Sequence, residues 1–294
     1  MSTLRELKGR IVSVASTGKT TNAMKMISSA KMHKAEQALK RLLPYRNMVQ
    51  SVIGHLLATD GVFASPLIEE REVKRRAFVV LGSDDGLCGA YNINVFKQML
   101  VILNDERSKN PDVDIDVYPI GKKIARAVRK IAGPHVNVVE NSGLNTRSKV
   151  DEVSDFAEML KKRFLAGEID CVGLLYMHFH SMSRQRFQHD QLLPVSYEAL
   201  KESCGNQNAN SPCLFEPDAN AIFNSVLPLH IMSVMQEVFT ENVASENAAR
   251  VMAMQTASDN AKKLLDELQL EYNKLRQEGI TTELLDILGG QIER

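Results

Sequence analysis

At each end of the chain, apolar side chains recur at steps of three and four over a length greater than a compact domain of this size is wide. Leu4, Leu7, Ile11 and Val14 set the step. Met32, Ala35, Leu39, Leu42, Arg46, Val49, Ile53 and Leu56 continue it, with Arg46 the only polar member, and Pro44 is the single proline between Leu4 and Leu57. This is a heptad-like seam rather than a broad amphipathic face. A helix over that stretch would reach roughly 80 Å at about 1.5 Å per residue. It must leave the body of the protein or pair with a second long helix.

The other end supplies such a helix. Val251, Met254, Ser258, Ala261, Leu265, Leu268, Tyr272 and Leu275 keep the same step. Upstream, Ala244, Ala248, Ala249, Ala253 and Ala257 are small enough for close helix approach. Pro217-Asp218 reads as a helix start, and Pro228 is expected to kink or start a helix because it lacks a donor and clashes one turn back. The simplest arrangement is an antiparallel coiled coil of the two ends. A buried helix pair inside an all-α protein is the alternative.

The middle changes period. Ala77–Gly82, Ile115–Ile120, Val136–Val139 and Cys171–Phe179 read as strands, with helices over 91–104, 122–131 and 149–166 between them. Strand–helix alternation predicts a parallel, doubly wound sheet, and Arg184–Val195 adds an antiparallel edge strand after a turn at Ser181-Met182-Ser183. The expected fold class is α/β, a Rossmann-like domain inserted into a long antiparallel coiled coil. Its expected parts are an N-terminal coiled-coil helix over 1–60, an α/β domain over 75–210 and a C-terminal coiled-coil helix over 215–294.

Charge excludes some functions. The chain carries 36 basic and 36 acidic side chains, without the basic excess of a dedicated nucleic-acid binder. Tryptophan is absent and aromatics are 5%, too few for a surface that stacks on single strands. The balance hides an asymmetry: residues 1–57 hold ten Lys/Arg and two Asp/Glu, a net of +8, and residues 218–294 hold six and twelve, a net of −6. Either end can present a one-signed face to a partner. No window of 18 uninterrupted apolar residues predicts a membrane span. The opening MSTLRELKGR has no apolar core of a signal peptide.

Candidate chemistry is sparse. Gly18-Lys19-Thr20 resembles the end of a P-loop, but Ser13 stands where the motif needs glycine and the stretch is helical by period. Gly82–Gly89 (GSDDGLCG) lies between a strand and a helix, where α/β proteins often bind ligands. It lacks GxGxxG, and Asp84 and Asp85 would repel a phosphate. Cys88 reads as a packed thiol. His178 and His180 face one way on a strand, with no third ligand for a metal. Cys88, Cys171, Cys204 and Cys213 have no metal-ligand spacing; Cys204 and Cys213 flank a polar loop, and free thiols suit a reducing compartment. No catalytic, cofactor or metal site is expected. An α/β enzyme that uses its coiled coil only to dimerise, and a scaffold without energy coupling, are the competing classes.

LRELKGRIVSVASTGKTTNAMKMISSAKMHKAE, SDDGLCGAYN, LFEPD, ENVASENAARVMAMQTASDNA and LQLEYNKLRQEGITTELLDILGG resemble the F-type ATP synthase gamma subunit from about residue 3 to residue 292. Thr20 stands where the family usually has isoleucine and Asp85 where it usually has arginine. The dithiol insert of chloroplast forms is missing, and Cys204 and Cys213 do not replace it. With no targeting segment before Leu4, the bacterial form fits better than an organellar precursor.

The resemblance implies a non-catalytic central rotor, peripheral on the cytoplasmic face of a bacterial inner membrane. Its implied partners are the alpha and beta subunits of the hexamer, the epsilon subunit and the membrane c-ring. It implies hexamer contacts at Met24, Lys25, Arg250, Gln277, Thr281, Leu284 and Leu288, and c-ring or epsilon contacts at Phe215, Glu216 and Asp218. Lys19, Lys25, Lys31 and Lys34 would form a basic track for an acidic loop on beta. Ile280, Leu284, Leu285, Ile287 and Leu288 would be an apolar tip that turns without directional bonds.

Overall fold

The computed structural model describes residues 3–58, 63–139, 143–198, 200 and 215–292, with side chains to residue 285. A capping box starts the first helix. Thr3 Oγ1 accepts the Glu6 N–H at 3.3 Å, and Glu6 Oε2 accepts the Thr3 N–H at 3.0 Å, which satisfies two donors that no helix turn can. Helix α1 then runs Leu4–Leu57 through Pro44. The last helix, α5, runs Ala219–Ile292, and Asp218 Oδ1 caps it by accepting the Ala221 N–H at 2.8 Å, as Pro217-Asp218 predicted. Pro228 does not start a helix; it lies inside α5. The missing ladder bond is outweighed because Phe223, Leu227, Ile231 and Met235 are all essentially fully buried on either side of it. Tertiary packing overrides the local preference. By length and composition alone α5 is also apolar enough to cross a membrane.

Between these helices lie β1 (Arg75–Leu81), α2 (Tyr91–Lys109), β2 (Asp114–Ile120), α3 (Lys122–Val128), β3 (Val136–Val138), α4 (Val150–Leu165), β4 (Cys171–Ser181) and β5 (Arg184–Leu193). The sheet order is β3-β2-β1-β4-β5. The first four strands pair in parallel and β5 pairs antiparallel with β4, the mixed doubly wound sheet that the alternation predicts. Strand residues alternate between two cores. Ala77, Val79, Leu81, Val172 and Leu174 face α4 (Phe156, Leu160, Phe164) and the inner parts of α1 (Ile53, Leu56) and α5 (Phe223, Leu227, Ile231). Phe78, Val80, Ile115, Val117 and Leu175 face α2 (Val95, Met99) and α3 (Ile124, Val128).

The compact units cut across the long helices: Ala30–Ala249 is the larger, and Met1–Ser29 with Arg250–Arg294 the smaller. The inner stretches of α1 and α5 thus pack with the sheet. In the smaller unit the two helix segments run antiparallel. Lys25 Nζ donates to Gln255 Oε1 at 2.9 Å, a Cβ on Gly18 would lie 3.5 Å from Ala261 Cβ, and a groove joins Gly9, Arg10 and Val14 to Leu264 and Leu268. Leu7, Val251, Met254 and Leu268 are buried in this seam.

Candidate functional site: a filled crevice and a partner-facing helix pair

In an open α/β sheet the strand order reverses between two neighbours, and ligands settle beyond the carboxyl ends of those strands. Here the reversal lies between β1 and β4. That crevice is filled by the chain itself. Asn242 of α5 donates Nδ2 to the Gly82 carbonyl at 2.9 Å, and the Tyr91 hydroxyl donates to Asn242 Oδ1 at 2.7 Å. Asn242 is 1% exposed. A Cβ on Gly82 would lie 2.6 Å from Ile124 Cγ2 and closer still to its Cβ, so the glycine is required by the close approach of α3. The turn closes with Leu87 in a left-handed conformation, φ 63°.

The two carboxylates of this turn are committed. Asp84 accepts the Lys122 N–H at 3.1 Å, and the Thr146 N–H and hydroxyl at 2.9 and 2.6 Å. Asp85 forms an exposed ion pair with Arg147. Cys88 is buried beside Ser83 and Asn92, a packed thiol as its surroundings predict. Gly18-Lys19-Thr20 is helical, with the Thr20 hydroxyl donating to the Ser16 carbonyl at 3.0 Å. His178 Nδ1 lies 2.9 Å from Glu241 Oε2, and among the described residues no group of three His, Cys, Asp or Glu side chains could hold a metal. Cys204 and Cys213 lie outside the described residues.

A second polar cluster escaped sequence reasoning. Arg46, the one polar member of its seam, forms an ion pair with Glu237 of α5. Burial raises the Glu241 carboxyl above the ordinary carboxylate range, opposed by the His178 hydrogen bond. The half-buried imidazole of His230, its Nδ1 shielded from solvent, is pushed down to about 4, by desolvation first and by Arg46 second. Ser245 donates its hydroxyl to the Met177 carbonyl of β4 at 2.7 Å. The one available signal was the density of polar residues in the ENVASENAAR run, where the alanine spacing drew attention instead.

The expected partner-contact residues fall into three places. Met24 and Lys25 are half-buried on α1 in the smaller unit, and Arg250 on α5 of that unit is 6% exposed. Gln277 and Thr281 are exposed, the Thr281 hydroxyl donating to the Gln277 carbonyl at 2.9 Å. Ile280, Leu284 and Leu285 are 47%, 55% and 63% exposed. The side chains of Ile287 and Leu288 lie outside the described residues. In the larger unit Phe215 packs against the core and Asp218 caps α5, while Glu216 is exposed. Lys19, Lys31 and Lys34 are exposed on α1.

The family model described as ATP synthase matches residues 3–292. An ATP synthase gamma chain of Phocaeicola vulgatus is 39% identical over 99% of this chain and 100% of its own length. That of Xanthomonas axonopodis pv. citri is 37% identical over 97% of each. Among solved structures, a chain of the Euglena gracilis mitochondrial ATP synthase (OSCP/F1/c-ring, rotational state 3) superposes with a TM-score of 0.63 at 21% identity, covering 98% of this chain and 93% of its own. One from the Tetrahymena thermophila mitochondrial ATP synthase central stalk and c-ring gives 0.55 at 21%, covering 81% and 99%. At that identity the structural matches speak to the fold.

Proposed function

The chain belongs to the ATP synthase gamma-chain family, and from that premise we propose that it is the central-stalk rotor subunit of an F-type ATP synthase. In this role it couples proton flow through a membrane c-ring to ATP synthesis in an alpha/beta hexamer by rotation, and it has no active site of its own. The observation that carries the reading is the end of α5. The antiparallel register of Gly18 beside Ala261 pairs Leu4, where α1 begins, with the region of Leu275. Ile280, Leu284 and Leu285 lie beyond it, apolar and exposed, as suits a helix end seated in a partner's collar.

One proton crossing about 100 mV releases only about 2.3 kcal/mol, so several must be pooled in a stiff element before one ATP is released. A shaft biases a catalytic site only by contacting its conformations unequally. The proposed hexamer contacts are Met24, Lys25, Arg250, Gln277, Thr281, Leu284 and Leu288, with Lys19, Lys31 and Lys34 as a track for an acidic loop. Phe215, Glu216 and Asp218 are proposed to face the c-ring and epsilon, with Glu216 the freest of them because its neighbours hold the core and the helix cap. The protein would sit peripherally on the cytoplasmic face of a bacterial inner membrane. A crevice closed by Asn242, Tyr91 and Ile124 disfavours the competing reading, an α/β enzyme with a ligand at Gly82–Gly89.

The test is a pull-down from detergent-solubilised membranes with the chain tagged on the α/β domain, paired with deletion of Thr281–Arg294. Stoichiometric recovery of alpha, beta, epsilon and c subunits is expected, with coupling weakened by the deletion while the α/β domain stays folded. Recovery of the chain alone with a bound small molecule would sink the rotor reading. Unaltered synthesis and hydrolysis after the deletion would remove the bearing role of the tip.

A further inference from the structure

Glu241, Asn242 and Ser245 are shielded to 6%, 1% and 0% exposure on one stretch of α5. None of the partner contacts proposed above uses them. Each reaches a different part of the larger unit. Asn242 is tied to the carboxyl end of β1 through the Gly82 carbonyl and to α2 through the Tyr91 hydroxyl. Ser245 is tied to β4 through the Met177 carbonyl, and Glu241 to β4 through His178. One turn earlier, Glu237 pairs with Arg46 of α1, and Gln236 Nε2 donates to Ser154 Oγ of α4 at 3.1 Å.

Apolar packing is non-directional. It resists the separation of a helix from a sheet more than it resists rolling of the helix about its own axis. Hydrogen bonds are directional and weaken steeply as their angle falls below about 120°. A set of them aimed at several strands and helices is therefore broken by a small roll. Apolar residues of similar volume would fill the same space but leave the Gly82 and Met177 carbonyls without these donors, each at the desolvation cost of an unpaired acceptor, and a satisfied buried polar network also fixes one orientation. The Gly82 glycine serves the same geometry, since a side chain there would displace α3 and the carbonyl that Asn242 grips.

We propose that Asn242 and Ser245, anchored on Gly82, Tyr91 and Met177, form a rotational lock through which twisting load on the α/β body enters α5. They are positioning residues, and the assignment rests on the rotor reading above. The load then continues along the same helix, which runs unbroken to Ile292.

The test uses the assembled enzyme in sealed vesicles, reading protons pumped per ATP hydrolysed as an opposing proton gradient is raised. Three variants are compared with wild type: Asn242→Leu/Ser245→Ala, Tyr91→Phe, and Val238→Ala as a control. Val238 is buried on α5 at 2% exposure and its side chain makes none of these ties. The double variant is expected to hydrolyse ATP near the wild-type rate without a gradient and to lose several-fold in protons per ATP under load. Tyr91→Phe should show a smaller loss of the same kind and Val238→Ala none. A wild-type ratio in the double variant under load overturns the lock, as does an equal loss in Val238→Ala, which would make the effect one of stability alone. If the double variant does not assemble, Tyr91→Phe decides, and a wild-type ratio there overturns the proposal. Failure of the wild-type chain to assemble or pump would instead overturn the rotor reading itself.

Discussion

Replacing His230 by leucine should change how the stability of this protein depends on pH. His230 Nδ1 is buried without a hydrogen-bond partner among the described residues. Desolvation, then the charge of Arg46, lowers the imidazole from its ordinary 6.5 to about 4. The sign follows from proton counting. Between those two values the unfolded chain binds a proton at this position and the folded chain does not, so stability falls as pH falls through that window. Above 6.5 neither state is charged and the effect vanishes. At about 1.4 kcal/mol for each tenfold change in proton affinity, wild type should lose about 2 kcal/mol relative to His230→Leu on going from about pH 7.5 to about pH 5. Glu241 works in the opposite sense, since burial raises its carboxyl, but it is common to both proteins and cancels in their difference. The assay is urea unfolding followed by circular dichroism, because the chain has no tryptophan, backed by an NMR titration of the His230 ring. A difference between the two proteins that is the same at both pH values, or a ring that titrates near 6.5, would refute the reasoning.

Asp84→Ala removes the acceptor of two backbone N–H groups and one hydroxyl. A cost of about 2–3 kcal/mol in unfolding free energy is expected, with faster amide exchange at Lys122 and Thr146. Gly82→Ala forces a Cβ against Ile124 and should destabilise the larger unit by about 2 kcal/mol in the same urea assay. Gly279→Ala meets nothing within 4 Å and should instead raise the helicity of the isolated chain, by about 0.5–1 kcal/mol of local stability.

The long helices and the sheet were legible because each is written in many residues at a fixed period. The heptad steps from Val251 to Leu275 reappear as buried or half-buried positions in every case. The strands from Ala77, Ile115, Val136 and Cys171 lie where alternating and continuous apolar runs place them. The start at Asp218 was legible because a cap is a local device, and the capping box of Thr3 and Glu6 was equally local but went unread. The place of Pro228 inside α5 rather than at a helix start was not legible, because it depends on Phe223 and Ile231 meeting a sheet whose strands lie far away in sequence. Arg46 at a seam position looked like an interruption, and only the fold brings Glu237 to it across 191 residues. Asn242 and Ser245 were illegible for the same reason. A polar residue in a helix reads as solvated until its distant acceptors, here the Gly82 and Met177 carbonyls, are known.

The crevice beyond β1 unites these non-local features. In a doubly wound sheet this is the place where backbone groups at strand ends are left without ladder partners and a ligand supplies them. In this chain the Gly82 carbonyl finds Asn242, the Ser83 N–H finds Asn92 Oδ1 at 3.0 Å, and the Lys122 N–H finds Asp84. Every partner is a side chain of the protein itself. The missing GxGxxG and the paired carboxylates of SDDG then have one physical explanation. A phosphate-binding turn needs open backbone donors and no negative charge, whereas here the glycine admits Ile124 of α3, Asp84 holds the Lys122 and Thr146 N–H groups, and the Gly82 carbonyl accepts the Asn242 amide of α5. The α/β scaffold keeps its topology while its ligand position becomes the point where α5 is held.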